Sequence, residues 1–394
     1  MKYRVNGKNG DLLSILGYGC MRYPKKGSSI DVERTEAQLI SAIENGVNYF
    51  DTAYVYLGGK SESILGSVLA KGYRDKVKIA TKLPPFLVKK YADMERIFST
   101  QLERLQTDRI DYYLVHMLSD TQTWERLVGL GIIQWIEEKK AKGQIINIGF
   151  SYHGGRYEFT KIIDAYDWDF CQIQYNYLDE NNQAGRNGLE YAAAKGLPVI
   201  AMEPLRGGKI VTGLPKEVNK IWETAKPSRS AAEWALRWVW NQPEVTLLLS
   251  GMNSEDMIEE NIRIASEVEA GDLSEEELDL FQKAKKILSE KTKVNCTACG
   301  YCMPCPQGVD IPTCFDAYNQ KYLSKGLETK FKYLMNTGAA SSNPANASHC
   351  IKCKICESHC PQSIPISEKL AEVTREMEGP VFKIAVALSK RFLK

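Results

Sequence analysis

No stretch of this 394-residue chain approaches the ~18 consecutive apolar residues that a spanning helix requires. The opening residues, MKYRVNGKNGDLLSILG, have no long apolar core and no small-residue cleavage site, so no secretory leader is expected. An excess of one charge is missing too. The 51 Lys and Arg against 49 Asp and Glu leave a net charge of +2, and no Lys/Arg run forms a basic face, which argues against a nucleic-acid partner. A membrane partner is not expected either, and the cytoplasm is the expected compartment. There, eleven cysteines are poor disulfide candidates because cytosolic thiols stay reduced, so metal ligation explains them better. Also absent is GxGxxG, the fingerprint with which an open doubly wound sheet announces a dinucleotide. The first candidate strand, ILGYGCMRYP at 15–24, does not fit that pattern. A nicotinamide would have to be held in another way.

What is present is a globular composition, 44% hydrophobic and 25% charged, able to bury a sizeable core. The length suits one α/β barrel of ~250 residues followed by a small domain. After a short N-terminal segment able to form a hairpin, strand and helix signals alternate. Strands are expected near 15–24, 47–50, 76–83, 110–118, 145–151, 170–177, 198–205 and 245–251. Helices are expected near 32–45, 62–70, 92–105, 121–142, 159–166, 186–195, 231–240 and 254–265. Runs such as YLV, VIAM and VTLLLS lack polar alternation, as parallel strands covered on both faces do. The expected fold is a (β/α)8 TIM barrel over 1–290, with a small, mainly helical domain over 291–394.

The stretch NYFDTAYVY, at 48–56, delivers Asp51 at a strand end and Tyr56 five residues later. KIATKLP places Lys82 at the tip of the next strand, and IDYYLVHML places His116 at the tip of the one after. C-terminal strand ends of a parallel barrel share one cavity, so the four side chains would meet there. In order and spacing they resemble the active-site tetrad of the aldo-keto reductase family, over roughly 1–257. The resemblance implies that Tyr56 is the proton donor to a carbonyl oxygen and that Lys82 is the ammonium beside it. Asp51 would fix Lys82, and His116 would orient the carbonyl. The bland reading, a structural Asp51–Lys82 pair with Tyr56 packed on it, is weakened because buried pairs are seldom needed for stability.

The same resemblance implies a nicotinamide lying across the barrel mouth. Ser151 and Gln172 match the residues that hold the carboxamide, although Tyr152 stands where an Asn is common. Met21, Met202, Pro204, Leu205, Arg206 and Gly207 fall in the loops that line the cofactor. Free backbone N–H groups beside Gly207 and Gly208 suit phosphate oxygens. Gly251, Asn253, Glu260 and Asn261 fall where the adenosine end is held. The cations that NADPH-specific members set against the 2'-phosphate correspond to Gly251 and Met257, so NADP and NAD both stay open, as does FMN.

Beyond a charged helix at 274–291 the composition changes abruptly. CTACGYCMPCP carries Cys296, Cys299, Cys302 and Cys305, and CIKCKICESHCP carries Cys350, Cys353, Cys356 and Cys360. The second is the C-x2-C-x2-C-x3-C-P run of cubane iron-sulfur clusters, and the first is one residue shorter before its last cysteine. Resemblance to two-cluster ferredoxins implies two [4Fe-4S] clusters. Cys296, Cys299, Cys302 and Cys360 would hold one, and Cys350, Cys353, Cys356 and Cys305 the other. Cys314 is the substitute ligand should one of these be idle, and a zinc ribbon is the rival reading. Cys20 and Cys171, solitary in strands, read as small buried apolar residues. Helices are expected at 315–323 and 329–335, and the terminal segment reads as an amphipathic helix docking on the barrel.

Together these features describe an oxidoreductase of aldo-keto reductase type, acting on a small-molecule carbonyl/alcohol pair. Its clusters would exchange single electrons, with an external carrier such as ferredoxin as a candidate partner. The alternative is a redox sensor or electron-transfer protein whose barrel binds a cofactor with little turnover.

Overall fold

The computed structural model describes residues 1–154, 156–324, 328–339 and 344–392. Eight strands close into one parallel barrel: β1 (Leu16–Gly19), β2 (Tyr49–Asp51), β3 (Lys78–Leu83), β4 (Ile110–Leu118), β5 (Ile145–Tyr152), β6 (Phe170–Gln174), β7 (Val199–Met202) and β8 (Val245–Ser250). Each pairs with its neighbours in chain order, and β8 pairs back onto β1. The expected TIM barrel is the fold observed. Residues 199–201 and 245–250 are buried throughout, which is why these strands carry apolar runs.

The barrel interior is layered. Tyr49, Ala80, Tyr112, Leu114, Phe170, Ile200, Leu247 and Leu249 pack there, with Leu13 contributed by the N-terminal hairpin of Tyr3–Val5 and Leu12–Ser14. Tyr112 meets Tyr49 and Phe170 edge-on, with ring centroids 5.1 and 5.0 Å apart. Its hydroxyl accepts from Asn6 Nδ2 at 3.0 Å and donates to Asp11 Oδ2 at 2.7 Å. The hairpin and the loop that closes it thus seal this end, and polar chemistry is confined to the other.

Two glycines let the strands approach. A Cβ on Gly149 would stand 2.5 Å from the Phe170 carbonyl oxygen, and one on Gly17 would stand 2.7 Å from Leu249 Cδ2. The helix expected over 121–142 is two helices, Thr121–Gly129 and Ile132–Ala141. Gly131 takes a left-handed φ of 87° between them. A helix at Lys216–Thr224 was not foreseen.

The chain forms two compact units: residues 1–204 with 232–274, and residues 205–231 with 275–394. The compositional break lies near 290, whereas the packing carries the segment after β7 into the second unit. There Lys209 pairs with Asp316, Lys291 Nζ reaches Glu217 Oε1 at 2.8 Å, and Trp222 packs on Phe281 at 5.2 Å. Helices Ile311–Ser324, Glu328–Asn336 and Ile366–Met377 bury Phe315, Tyr318, Tyr333, Leu370, Val373 and Met377. The terminal helix, Pro380–Phe392, packs onto this same core through Phe382 against Tyr333, where docking on the barrel was expected. Among the described residues no helix is long and apolar enough to cross a membrane.

Replacing Gly149 with Ala is expected to destabilise the barrel by about 1–3 kcal/mol, the usual cost of overpacking. Chemical denaturation reads this, and an unchanged midpoint would contradict the close β5–β6 approach.

Candidate functional site

Two residues beyond the apolar interior layer, the inward positions turn polar. Tyr49 is followed by Asp51, Ala80 by Lys82, and Leu114 by His116. Lys82 Nζ donates to Asp51 Oδ1 at 2.6 Å and to the Thr52 carbonyl at 2.7 Å, with Lys82 only 1% exposed. The same ammonium lies 4.9 Å from the centroid of the Tyr56 ring. That ring meets His116 edge-on at 5.9 Å. The four residues singled out in the sequence therefore converge.

Their positions have local causes. Tyr56 opens a short helical turn in which Leu57, Gly58 and Gly59 take left-handed φ values of 53°, 66° and 87°. Gly59, at a φ of 87° that disfavours a Cβ, lies against the Arg104 guanidinium. Arg104 Nη1 donates to the Tyr54 carbonyl and to the fully buried Glu62. Glu62 also accepts from Thr81 Oγ1 at 2.6 Å and Gln101 Nε2 at 3.0 Å. Ser61 Oγ donates to the Cys20 carbonyl and lies 2.7 Å from Thr52 Oγ1. These bonds tie the Tyr56 loop to β1 and β3. His116 owes its placement to a bulge: between Val115 and Leu118 β4 advances three residues while β5 advances two, and Met117 takes a φ of 52°.

Burial dominates the electrostatics. It pushes Lys82 below the ordinary lysine range, opposed by the Asp51 charge, and raises Asp51, opposed by Lys82. Burial, then the Lys82 charge, then His153 hold His116 well below its usual value. At neutral pH His116 is an uncharged imidazole that keeps one N–H to donate.

Ser151 and Gln172 stand opposite each other in the β5–β6 register. Ser151 Oγ accepts from the Met117 N–H at 2.8 Å, and Gln172 lies beside the Asp51 carboxylate. Tyr152 faces the helical layer, where it packs on Phe159 at 4.9 Å. Met21 follows β1 and Met202 ends β7, both half-buried. Pro204 ends the first segment of the first unit, while Leu205, Arg206 and Gly207 belong to the second, with Arg206 buried at a left-handed φ of 50°. Gly251 and Asn253 are exposed after β8, and Glu260 is half-buried. Asn261 Nδ2 donates to Ser250 Oγ at 2.9 Å. Arg22 Cβ would be 3.9 Å from a Cβ on Gly251, which brings a cation's backbone beside that position from β1.

In the second unit, Cys296, Cys299, Cys302 and Cys360 line one pocket, walled also by Ile311, Phe315 and Ile366. Four thiols around an apolar-walled space fit a cubane cluster, and they are the four that the ferredoxin pattern groups together. Cys356 is within electrostatic reach of Cys350 and Cys305. Both runs wrap alike despite the shorter first spacing. Ala298 and Lys352, two residues after each first cysteine, have φ of 55° and 59°. Gly300 and Lys354 have 82° and 62°, and Gly308 and Ser363, three after each last cysteine, have 72° and 50°. The Ala298 and Lys352 N–H groups each point at the sulfur of the preceding run cysteine, at 3.4 Å. Cys314 sits apart in the core, near Tyr333 Oη and the Ala345 carbonyl, and burial pushes its thiol up to about 12. Cys171 is a buried residue of β6, and Cys20, expected in a strand, is buried in the turn just after β1.

The sequence model described as "Aldo/keto reductase family" matches residues 15–286. The chain belongs to the aldo/keto reductase family. A second model, a 4Fe-4S dicluster domain, matches residues 295–365. The chain is similar to the uncharacterized oxidoreductase YrpG of Bacillus subtilis, at 26% identity, covering 67% of this chain and 90% of that one. It is similar to L-galactose dehydrogenase of Arabidopsis thaliana, at 25% identity over 71% of this chain and 92% of that one. Among solved structures it resembles the thermostable aldo-keto reductase Tm1743, with TM-score 0.59 and 25% identity, covering 72% of this chain and all of that one.

The aldo/keto reductase barrel also carries a site residue that the sequence reading missed. His153 lies one inward step beyond Ser151, as Gln174 does beyond Gln172. His153 Nδ1 is 3.2 Å from Gln183 Oε1, Gln183 Nε2 donates to Gln174, and Gln174 Nε2 donates to Asp179 Oδ2 at 2.9 Å. The alternation 149, 151, 153 was available as a signal, but it ends only where the strand ends.

Burial and the Lys82 charge push His153 down to about 4 from an ordinary 6.5, against the Gln183 hydrogen bond. Between those pH values the unfolded chain binds the extra proton, so this contribution to stability is present above 6.5 and is lost as pH falls toward 4. At pH 5, His153→Gln should take up about one proton fewer on unfolding than the parent. The pH dependence of the denaturation free energy measures this, and identical slopes would contradict the burial of a neutral imidazole.

Proposed function

We propose that the barrel reduces a small carbonyl compound, or oxidises the matching alcohol, with a nicotinamide cofactor. The observation that carries this reading is the Lys82 ammonium, 2.6 Å from Asp51 and 4.9 Å from the Tyr56 ring, with His116 against the same ring. A bound nicotinamide supplies or accepts the hydride. Tyr56 gives its proton to the carbonyl oxygen as negative charge develops there. The Lys82 ammonium stabilises the charge left on the phenol oxygen, and Asp51 with the Thr52 carbonyl holds that ammonium in place. The neutral imidazole of His116 donates its N–H to orient the carbonyl. Ser151 and Gln172, side by side at the strand ends, would hold the carboxamide, and Met21, Met202 and Pro204 would contact the rest. Gly251, Asn253, Glu260 and Asn261 would hold the adenosine end of NADP or NAD. Tyr56→Phe should lower turnover by about 100-fold or more while cofactor binding stays within about threefold. Single-turnover kinetics with fluorescence titration test this, and undiminished turnover would sink the assignment.

We further propose two [4Fe-4S] clusters, held by Cys296, Cys299, Cys302 and Cys360 and by Cys350, Cys353, Cys356 and Cys305. Such clusters pass single electrons, so coupling them to hydride chemistry calls for a group that does both, and FMN is the candidate. Protein purified without oxygen should be brown, with about eight irons per chain. A colourless, zinc-loaded preparation would refute the clusters, and an iron-replete protein without an isoalloxazine spectrum would refute a tightly bound flavin.

A further inference from the structure

The two cysteine runs share a backbone path but differ at the surface. In the first run Thr297 is buried, and Cys296 and 298–302 are half-buried. In the second, 351–355 are five consecutive exposed residues, Ile351, Lys352, Cys353, Lys354 and Ile355. Ile351 is 62% and Ile355 51% exposed, so both leave apolar surface in water on either side of Cys353. Lys352 and Lys354 hold left-handed φ values of 59° and 62°, a conformation that disfavours any residue with a Cβ. The first run puts a small residue at each equivalent position, Ala298 and Gly300. The second run thus keeps a lysine where glycine would be unstrained. Among the described residues neither lysine lies within ion-pair distance of a carboxylate. Glu357 accepts from the Ser367 N–H and Oγ at 2.8 and 2.6 Å and lies within electrostatic reach of Lys354 without pairing with it directly.

We propose that this patch docks an acidic protein that carries one electron at a time. The inference rests on the reading that Cys350, Cys353, Cys356 and Cys305 hold a cluster, and adds which face exchanges electrons and with what kind of partner. Two exposed isoleucines form a small apolar centre, and the side chains of Lys352 and Lys354, neither in a direct ion pair among the described residues, flank the exposed thiol, so the complementary surface is carboxylate-rich. Docking there puts the carrier's redox centre next to the Cys353 sulfur. One electron then crosses: the donor centre is oxidised by one electron, the acceptor is reduced by one, and no proton moves. Arrangement by charge speeds encounter and selects the partner more than it adds affinity.

The test uses the full-length, iron-replete protein under anaerobic conditions, with an acidic [2Fe-2S] ferredoxin as probe and basic cytochrome c as the opposite-charge control. The dissociation constant is measured at low and physiological salt, and iron is counted on every sample. Ferredoxin should bind, more weakly as salt rises, and cytochrome c should not. The double variant Lys352→Glu/Lys354→Glu should weaken ferredoxin binding by about tenfold or more. Lys354→Gly relieves the left-handed position, so its melting temperature should be no lower than the parent's, yet binding should weaken about threefold. Absent ferredoxin binding, an unchanged dissociation constant in the double variant, or equal binding of cytochrome c would overturn the docking proposal with the clusters intact. About four irons per chain in place of eight would overturn the cluster reading beneath it.

Discussion

The buried contact between Lys82 and Asp51 is the constraint on which the site depends. An ammonium and a carboxylate removed from water lose several kcal/mol each in solvation, and their mutual attraction restores this only with good geometry and further hydrogen bonds. Here the ammonium has both: Asp51 Oδ1 at 2.6 Å and the Thr52 carbonyl at 2.7 Å. Apolar residues would serve stability about as well, so the pair is better understood through what stands next to it, the phenol of Tyr56 and the imidazole of His116. Burial also keeps His116 uncharged, which prevents a second cation from competing with Lys82.

The barrel makes such a site affordable by separating its two ends. Leu13 and the Tyr49, Tyr112 and Phe170 rings fill the interior below, and the hairpin supplies Asn6 to the Tyr112 hydroxyl. Cohesion comes from that layer, leaving the strand ends above free to carry polar groups that do little for stability. The loop bearing Tyr56 is then tied down by Glu62, a fully buried carboxylate satisfied by Thr81, Gln101 and Arg104.

The second unit solves a different problem, holding eight cysteines in two runs of unequal spacing. Left-handed residues at matching offsets reproduce the same wrap in both, so the shorter first run keeps its shape. The segment 205–231 belongs to this unit in packing although it follows a barrel strand in sequence, and Cys296 lies within electrostatic reach of its Arg206 and Lys209.

Much of this was legible beforehand from local pattern. Apolar runs marked the barrel strands, single ionisable residues marked the ends of three of them, and the cysteine spacing marked the second domain. These are properties of short stretches, and a strand end or a CxxC turn is specified by a handful of neighbouring residues. Other features arise between distant segments. The bulge that aims His116 is defined by the β5 register, His153 is hydrogen-bonded to Gln183 and through it to Gln174, and the helix expected at 121–142 breaks where Gly131 turns left-handed. The division of 205–231 from the barrel is set by partners more than fifty residues away, such as Phe281 and Asp316. The amino-acid order by itself determined which groups the chain could bring to the barrel mouth and to the cysteine domain. Only the tertiary structure decided which of them meet, because burial, register and the pairing of charges depend on residues that are neighbours in space alone.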